Sequence, residues 1–234
     1  MDDALTKPRA ASRMRRLPAT LWLGIGITGM IVVAAILAPV IAPYPFDEMN
    51  ILTRLKPPSA AHWFGTDDFG RDVFSRTLIG ARLSLIMGFG ATFIAFAVGV
   101  PLGLLSGYAS RRVDEIIMRA MDILMSFPPI LLGLLILTVT TPSLWKAMIA
   151  VGIVYIPAIV RLTRSVTLEI AQEEFILAAR ARNDGVWYIL FREILPNAWP
   201  PLVVEAGLRV TFAILLGAAF SFLGMGAQPP SSDW

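Results

Sequence analysis

The chain of 234 residues has no cysteine and a single histidine, His62. The missing cysteine excludes disulfides, thiol nucleophiles and thiolate-bound metals, and one histidine leaves little material for a histidine-based triad or a multi-histidine metal site. Charge is also scarce, at 16% of residues with a formal net charge of +3, and the basic residues lie next to apolar runs. This distribution is typical of membrane orientation and disfavours a nucleic-acid partner.

Short motifs of nucleotide or enzymatic chemistry lack their context here. Gly24, Gly26 and Gly29 have the spacing of a dinucleotide-binding loop but lie inside an uncharged apolar run. The match of Ser143 to Lys146 to Ser-x-x-Lys has no companion motifs. The sequence contains no Gly-x-x-x-x-Gly-Lys-Ser/Thr loop, so any ATP that drives this protein is expected on another chain. No catalytic, cofactor or metal residue is predicted.

Apolar residues dominate what is present. They make up 56% of the chain and its mean hydropathy is +0.68, so we expect an integral membrane protein. Uncharged runs predict an all-α polytopic bundle with five spans, and the first run is too long for a cleaved signal peptide. The predicted spans cover about 17–43, 83–109, 121–141, 144–164 and 201–225, with a tail at 1–16, an external loop at 44–82 and a cytoplasmic loop at 165–200.

Lysine and arginine are unevenly divided in this predicted topology. The side that carries the N-terminus has 13 of them and the opposite side has 6. Because basic residues accumulate in cytoplasmic segments, the N-terminus is predicted to be cytoplasmic. The loop at 44–82 is then external, and its aspartates and glycines over 65–72 lack the spacing of a calcium loop, so turns and Asp/Arg pairs are expected there.

Small residues and prolines shape the predicted spans. Gly99, Gly103 and Gly107 recur every four residues and predict that another helix approaches closely. Pro128 and Pro129 remove backbone donors, so they should kink or start the third span.

One acid and one base stand near the predicted cytoplasmic start of the fifth span. Glu205 and Arg209 are four residues apart, in the order that favours a helical ion pair. A charge at membrane depth costs about 2.5–3.5 kcal/mol on insertion scales. The pair is therefore interpreted as interfacial, within snorkelling reach of water, ahead of a substrate contact.

A polar segment from Glu173 to Pro200 separates the last two predicted spans. It combines a small-residue patch, an Asn-Asp-Gly turn signal and a second amphipathic stretch, which together predict a helix-turn-helix at the water boundary. Such a loop is shaped to contact a partner.

The polar segment contains a set of residues in a recognisable order: Glu174, Ala178, Ala179, Arg180 and Ala181, followed by Phe191, Arg192, Ile194, Leu195, Pro196 and Asn197. This set resembles the EAA loop of ABC importer permeases. The GTDDFGRDVFSR stretch at 65–76 and the residues at 221–230 look like the dipeptide/oligopeptide/nickel permease family, specifically its second permease subunit. Family members usually have glycine where Asn183 stands, and asparagine tolerates the left-handed conformation that such a bend requires.

The resemblance implies a type I importer permease with six spans, of which five are visible before Trp234. Its implied partners are a second permease subunit, two cytoplasmic ATPases that bind the ATP, an external solute-binding protein and the lipid of a bacterial inner membrane. The ATPase-coupling residues that it implies are Glu174, Ala178, Ala179, Arg180, Ala181, Asn183, Gly185, Arg192, Leu195, Pro196 and Asn197.

Other interpretations stay open at this point. Within the family, the solute is a di- or oligopeptide by first expectation, with nickel or another small solute as the alternative. The early stop predicts that a truncated, inactive permease is a further alternative. From other classes, an ATP-independent channel or secondary transporter would show flux without an ATPase, and an intramembrane enzyme would need polar residues converging inside the spans.

Overall fold

The computed structural model describes residues 19–139, 141–228 and 231, and most of these residues are helical. The tail at 1–16 and two prolines of the C-terminal motif, Pro229 and Pro230, lie outside the described residues. The helices are α1 (Ala19–Ile41), α2 (Val73–Tyr108), α3 (Arg111–Met125), α4 (Pro129–Thr138), α5 (Leu144–Ile170), α6 (Glu174–Ala181), α7 (Val186–Tyr188) and α8 (Leu195–Phe222), with a π-helix at Ile189–Ile194 and a 3-10 turn at Ile51–Thr53.

Within the described ranges, four helical segments are long and apolar enough to cross a membrane: α1, α2, α5 and the continuous run Val186–Phe222. The pair α3 and α4 makes a fifth only if it is counted as one span, because the two helices are bent by 86° at their break. The prediction of an all-α, multi-pass membrane bundle is confirmed.

The third predicted span, 121–141, is not a single helix. α3 ends at Met125, and Pro128 adopts φ −55° and ψ 137° before Pro129 opens α4. A residue that precedes proline is driven out of the helical region, so consecutive prolines separate the two helices. The ten residues of α4 rise about 15 Å, roughly half of the hydrocarbon layer.

The other helices differ from their predicted spans mainly at their ends. α2 begins at Val73, within the segment predicted as the external loop, and α5 continues past 164 to Ile170. The last helical run begins at Val186, although its span was predicted from 201. Charged and proline residues hid these extensions, because a run without charges marks only the part of a helix inside the lipid.

The start of α2 depends on a buried aspartate. Asp72 caps the helix, and its Oδ2 accepts hydrogen bonds from the backbone N–H and the hydroxyl of Ser75, both at 2.8 Å. Asp72 is only 3% exposed and Ser75 is fully buried. The first N–H groups of a helix have no partner within the helix. The buried Asp72 carboxylate accepts from one of them, which fixes the first turn of α2.

The external loop contains the expected turns and Asp/Arg pairs. Asp67 accepts hydrogen bonds from the backbone N–H groups of Phe69 (2.8 Å) and Arg71 (3.0 Å) and from Arg71 Nε (2.7 Å). Partial burial raises the pKa of the Asp67 carboxyl, but these donors outweigh it and hold the pKa below its ordinary value.

The glycine stripe of α2 lies directly against α5. A Cβ placed on Gly99 would lie 2.7 Å from Ile159 Cβ, closer than real contacts allow, so the helices approach nearer than alanine would permit. The facing pairs are Gly99 with Ile159, Gly103 with Thr163, and Gly107 with Thr167. Together with α8, these two helices form the core of the bundle.

Candidate functional site

The polar segment between α5 and α8 is folded as a helix-turn-helix, as its sequence predicts. α6 ends in a Schellman motif, in which Asp184 N–H donates to the Ala179 carbonyl (3.1 Å) and Asn183 N–H to the Arg180 carbonyl (2.9 Å). Asn183 has φ +63°, the left-handed conformation expected at this position. The bend is therefore made without the glycine that family members usually carry.

The inner side of this helix-turn-helix is apolar and closed. Ile176 and Ala179 of α6 are both 0% exposed and belong to one core cluster with Ile189, Leu190 and Ile194. The small side chain at 179 lets α6 approach the π-helix closely. Ala179 is thus an internal packing residue of the helix-turn-helix.

The outer side is exposed. Ala178 and Ala181 stand three residues apart on the same face of α6, where small side chains leave room for a close approach. The other exposed members of the predicted coupling set are Glu174, Arg180, Asn183, Gly185, Arg192, Pro196 and Asn197, and Leu195 is half-buried.

The segment leads into α8 through a π-helix of six residues, Ile189–Ile194. π-helical turns are rare and occur mostly at functional sites. No non-helical residue separates this turn from α8, so the helical run from Val186 to Phe222 is continuous. The turn and the apolar helix α8 therefore form one continuous helical element.

Two side-chain ties hold the helix-turn-helix in place. Arg182 contacts Asp184 (2.7 Å) in the turn and lies 3.7 Å from Glu193 of the π-helix. Arg180 donates from Nε to the hydroxyl of Tyr108 (3.2 Å), and its guanidinium stands 4.7 Å from the centre of that ring. Tyr108 was not predicted as a site residue, because it is the last residue of α2 and 72 positions away in the chain.

A second anchor beneath the segment was also missed from the sequence. Arg164 of α5 makes two hydrogen bonds to Asp114 of α3, each 2.6 Å long, and Ser106 of α2 donates to the same carboxylate at 2.5 Å. Bidentate, charge-assisted pairs of this kind fix geometry as well as adding stability. This cluster joins α2, α3 and α5 at the end of the bundle where α6 lies. The sequence did not predict it, because Arg164 and Asp114 are 50 positions apart in the chain.

The described residues contain no group of three metal-ligating side chains. One cluster has the residue types of a hydrolytic triad, with His62 Nδ1 3.0 Å from Asp72 Oδ1 and Ser75 Oγ donating to Asp72 Oδ2. The aspartate stands between the other two, so the histidine is not placed to take the serine proton. This cluster holds the external loop onto α2.

The structure joins the Glu205–Arg209 pair to the middle of α5. Arg209 contacts Glu205 Oε1 through Nε (2.6 Å) and Nη2 (2.5 Å), and its guanidinium lies 5.2 Å from the ring centre of Tyr155. Tyr155 is eleven residues, about 16 Å, from the start of α5 at Leu144. That is about half of a hydrocarbon layer, and the last helical run starts well before 201, so both lengths disfavour an interfacial position for the pair.

The fold is shared with a solved ABC transporter. The structure described as inward-facing conformations of the MetNI methionine ABC transporter matches with a TM-score of 0.58 and 25% identity, over 63% of this chain and 74% of that chain. The family model for the binding-protein-dependent transport system inner membrane component matches residues 99–234, and the N-terminal TM domain of oligopeptide transport permease C matches residues 19–58. The chain belongs to the family of binding-protein-dependent transport system inner membrane components.

Curated relatives cover most of the chain. The dipeptide transport system permease protein DppC of Alkalihalophilus pseudofirmus is 46% identical over 90% of this chain and 71% of its own length. The probable D,D-dipeptide transport system permease protein DdpC of Escherichia coli is 43% identical, over 85% and 67%. The glutathione transport system permease protein GsiD of Pectobacterium atrosepticum is 40% identical, over 88% and 68%. The chain is accordingly a multi-pass ABC permease component.

Proposed function

We propose that this chain is a membrane-spanning permease subunit of an ATP-driven importer of di- or oligopeptides. Family membership and relatives named for dipeptide, D,D-dipeptide and glutathione transport support the solute class. The observation that carries the mechanism is the helix-turn-helix at 174–197, whose outer face is exposed and whose helix continues into α8.

The assembly around this chain contains a second permease subunit, two cytoplasmic ATPases and an external solute-binding protein. The family description names dependence on a binding protein, and the sequence has no phosphate-binding loop of its own. ATP is bound and hydrolysed by the partner ATPases, and this chain holds no cofactor. Its N-terminus is cytoplasmic in a bacterial inner membrane, as the distribution of 13 and 6 basic residues supports.

The outer face of α6 docks into a groove of one ATPase. Ala178 and Ala181 leave room for the approach of the groove wall, and the exposed charges of Glu174 and Arg192 set the register. Ala179 supports this docking indirectly, because its buried side chain packs α6 against the π-helix.

Closure of the ATPases then moves the helix-turn-helix as one unit. Its apolar inner side and the Arg182 contacts keep it intact, and the π-helix carries the displacement into α8. The Arg180–Tyr108 contact carries it into α2. Nucleotide contacts that differ between two states thereby shift the population of inward-open and outward-open bundles.

Crosslinking tests the docking of α6 on the ATPase. These 234 residues contain no cysteine that would compete with an introduced one. A single cysteine at Ala181 is combined with a cysteine in the predicted groove of the co-expressed ATPase, and crosslinking is compared with and without ATP. We expect a specific crosslink whose yield changes with ATP. A cysteine at Ala60, an exposed alanine of the external loop, is the matched control and should not react. An assembled complex without a crosslink from Ala181 contradicts the docking.

A further inference from the structure

We propose that Glu205 and Arg209 form a subsite on the translocation path that binds the charged ends of a zwitterionic peptide. This inference rests on the proposed function. It assigns recognition of the transported peptide to two residues of the translocation path.

The pair lies on the inward side of α8. Positions four apart share a helical face, and Glu205 and Arg209 follow Leu202 and precede Ala213 and Phe220 on the side that is buried in the bundle. The tie to Tyr155 puts the charges about midway through the membrane. A charge at that depth lies in the interior of a bundle or faces water, because lipid solvates neither partner.

The two side chains are not fully buried in this chain. Glu205 keeps 18% and Arg209 keeps 23% of its side chain exposed. Exposed charge in the middle of a membrane requires a polar neighbour on that side, since each unsatisfied polar group in hydrocarbon costs several kcal/mol. The exposed edge of the pair therefore needs polar surroundings, which an aqueous path through the assembled permease supplies.

Hydrogen-bonding capacity remains at this edge. Both contacts between the side chains use Glu205 Oε1, and among the described residues Glu205 Oε2 and Arg209 Nη1 have no hydrogen-bond partner. One acceptor atom of the carboxylate and one donor group of the guanidinium are thus unused. A peptide with free termini carries the complementary groups, an ammonium that donates to a carboxylate and a carboxylate that accepts from a guanidinium.

Tyr155 positions the arginine. Its hydroxyl donates to the carbonyl of Phe212 (3.1 Å), which fixes the ring, and the ring lies beneath the guanidinium at 5.2 Å. The subsite is thus held by α5 and α8 together, and relative movement of these helices would open or close it.

Equilibrium binding of radiolabelled dialanine tests the subsite. The probe is applied to the complete complex of both permeases and both ATPases in lipid nanodiscs, without the solute-binding protein, so that only sites in the complex contribute. We expect Glu205→Gln and Arg209→Gln each to weaken dialanine binding by about tenfold or more, the effect of one lost charge-assisted hydrogen bond. Arg111→Gln, in an exposed ion pair of the same i, i+4 spacing, is the matched control and should bind as the wild type does.

Blocked peptides assign each end. Dialanine amide lacks the carboxylate, so Arg209→Gln should not weaken its binding further, and N-acetyl-dialanine should be similarly insensitive to Glu205→Gln. Equal losses for free and blocked peptides would overturn the assignment. Dialanine binding that is unchanged in both single variants would overturn the subsite itself.

A charge exchange separates recognition from a purely structural ion pair. The double variant Glu205→Arg with Arg209→Glu keeps an attractive pair but reverses the positions of acceptor and donor. We expect co-purification of the ATPases as in the wild type and weakened dialanine binding. Recovery of wild-type affinity would show that the pair only holds the helices together and would overturn the proposal.

A labelling measurement avoids changing the pair. Phe212 is half exposed and lies two helical turns from Glu205 on the same face. A single cysteine at Phe212 should react with a water-soluble thiol reagent and should be protected by dialanine, whereas a cysteine at the exposed Met30 of α1 should be unaffected by the peptide. An unreactive cysteine at 212 would overturn the aqueous path at the pair.

Failure of this inference is distinguishable from failure of the proposed function. If the complete system with its binding protein takes up dialanine while the pair variants bind normally, the function stands and the subsite falls. If the assembled wild-type complex takes up no peptide, the proposed function itself falls.

Discussion

The segments at the two ends of α2 are held by different forces. Before the helix, the external loop is fixed by buried polar groups, above all Asp72, whose carboxylate contacts Ser75 and His62. After it, Tyr108 contacts the helix-turn-helix at 174–197, which is held by an apolar inner side with Ala179 at its centre. Hydrogen bonds are directional, so a polar network fixes the orientation of each group in the loop. Apolar packing is not directional, so it holds the helix-turn-helix together while its polar face stays available to a partner.

The largest expected difference between these regions comes from one added methyl group. Gly70 has φ +73°, and a Cβ there would overlap the carbonyl oxygen of Asn50. Gly70→Ala should therefore destabilise the protein by about 3 kcal/mol or more, from left-handed strain and the clash together. Thermal unfolding in detergent measures it. Gly185→Ala, with open space around its Cβ, is the control, and an equal loss there would contradict this account.

Removal of the buried cap should have the next largest effect. Asp72→Ala removes the acceptor for Ser75 and the partner of His62, with an expected loss of about 2–4 kcal/mol. Asp184→Ala removes a carboxylate from the turn after α6, where it contacts the exposed Arg182, and should cost less than about 1 kcal/mol. Comparison of the two unfolding temperatures checks the contrast, which fails if Asp184→Ala is the less stable variant.

A neighbouring pair of alanines separates packing from docking. Ala179→Leu places three extra carbons in a closed contact and should cost about 1–3 kcal/mol of stability. Ala178→Leu lies on the outer face, so it should leave the unfolding temperature unchanged and lower the amount of co-purified ATPase. Loss of stability in the 178 variant would place that residue inside the fold.

The left-handed turn should respond modestly to substitution. Asn183→Ala forces a Cβ without a polar side chain into φ +63° and should destabilise the segment by about 1 kcal/mol. Asn183→Gly removes that strain and should be nearly neutral. Limited proteolysis at the turn measures both variants, and equal behaviour of alanine and glycine would show that the left-handed conformation is not maintained.

The smallest expected effect is a pH dependence of the external loop. The pKa of Asp67 is lowered in the folded protein, so its contribution to stability is fully present above its unfolded pKa of about 3.9 and is lost as the pH falls through the folded value. Acidification below about pH 4 should therefore narrow the difference in unfolding temperature between wild type and Asp67→Asn. A difference that stays constant to about pH 3 would contradict this contribution.

Sequence patterns located the helix-turn-helix and the glycine stripe, because both signals are local. Spacing of four residues marks a helical face, and Asn183 with Gly185 marks a turn. The patterns misplaced the ends of α2 and of the last helical run, because charges and prolines outside the lipid conceal helical residues. The patterns also could not show that Ala179 is buried while Ala178 is exposed, since adjacent residues on a short helix differ only in the direction they face.

By itself, the sequence determined the all-α membrane bundle and the position of the polar segment, since apolar run length and local turn chemistry act over a few residues. Only the tertiary structure decided which residues meet across the chain. Arg180 with Tyr108, Arg164 with Asp114, and Arg209 with Tyr155 are joined over 50 or more positions. Such pairs depend on how helices pack, and packing is a property of the whole bundle that no local pattern encodes.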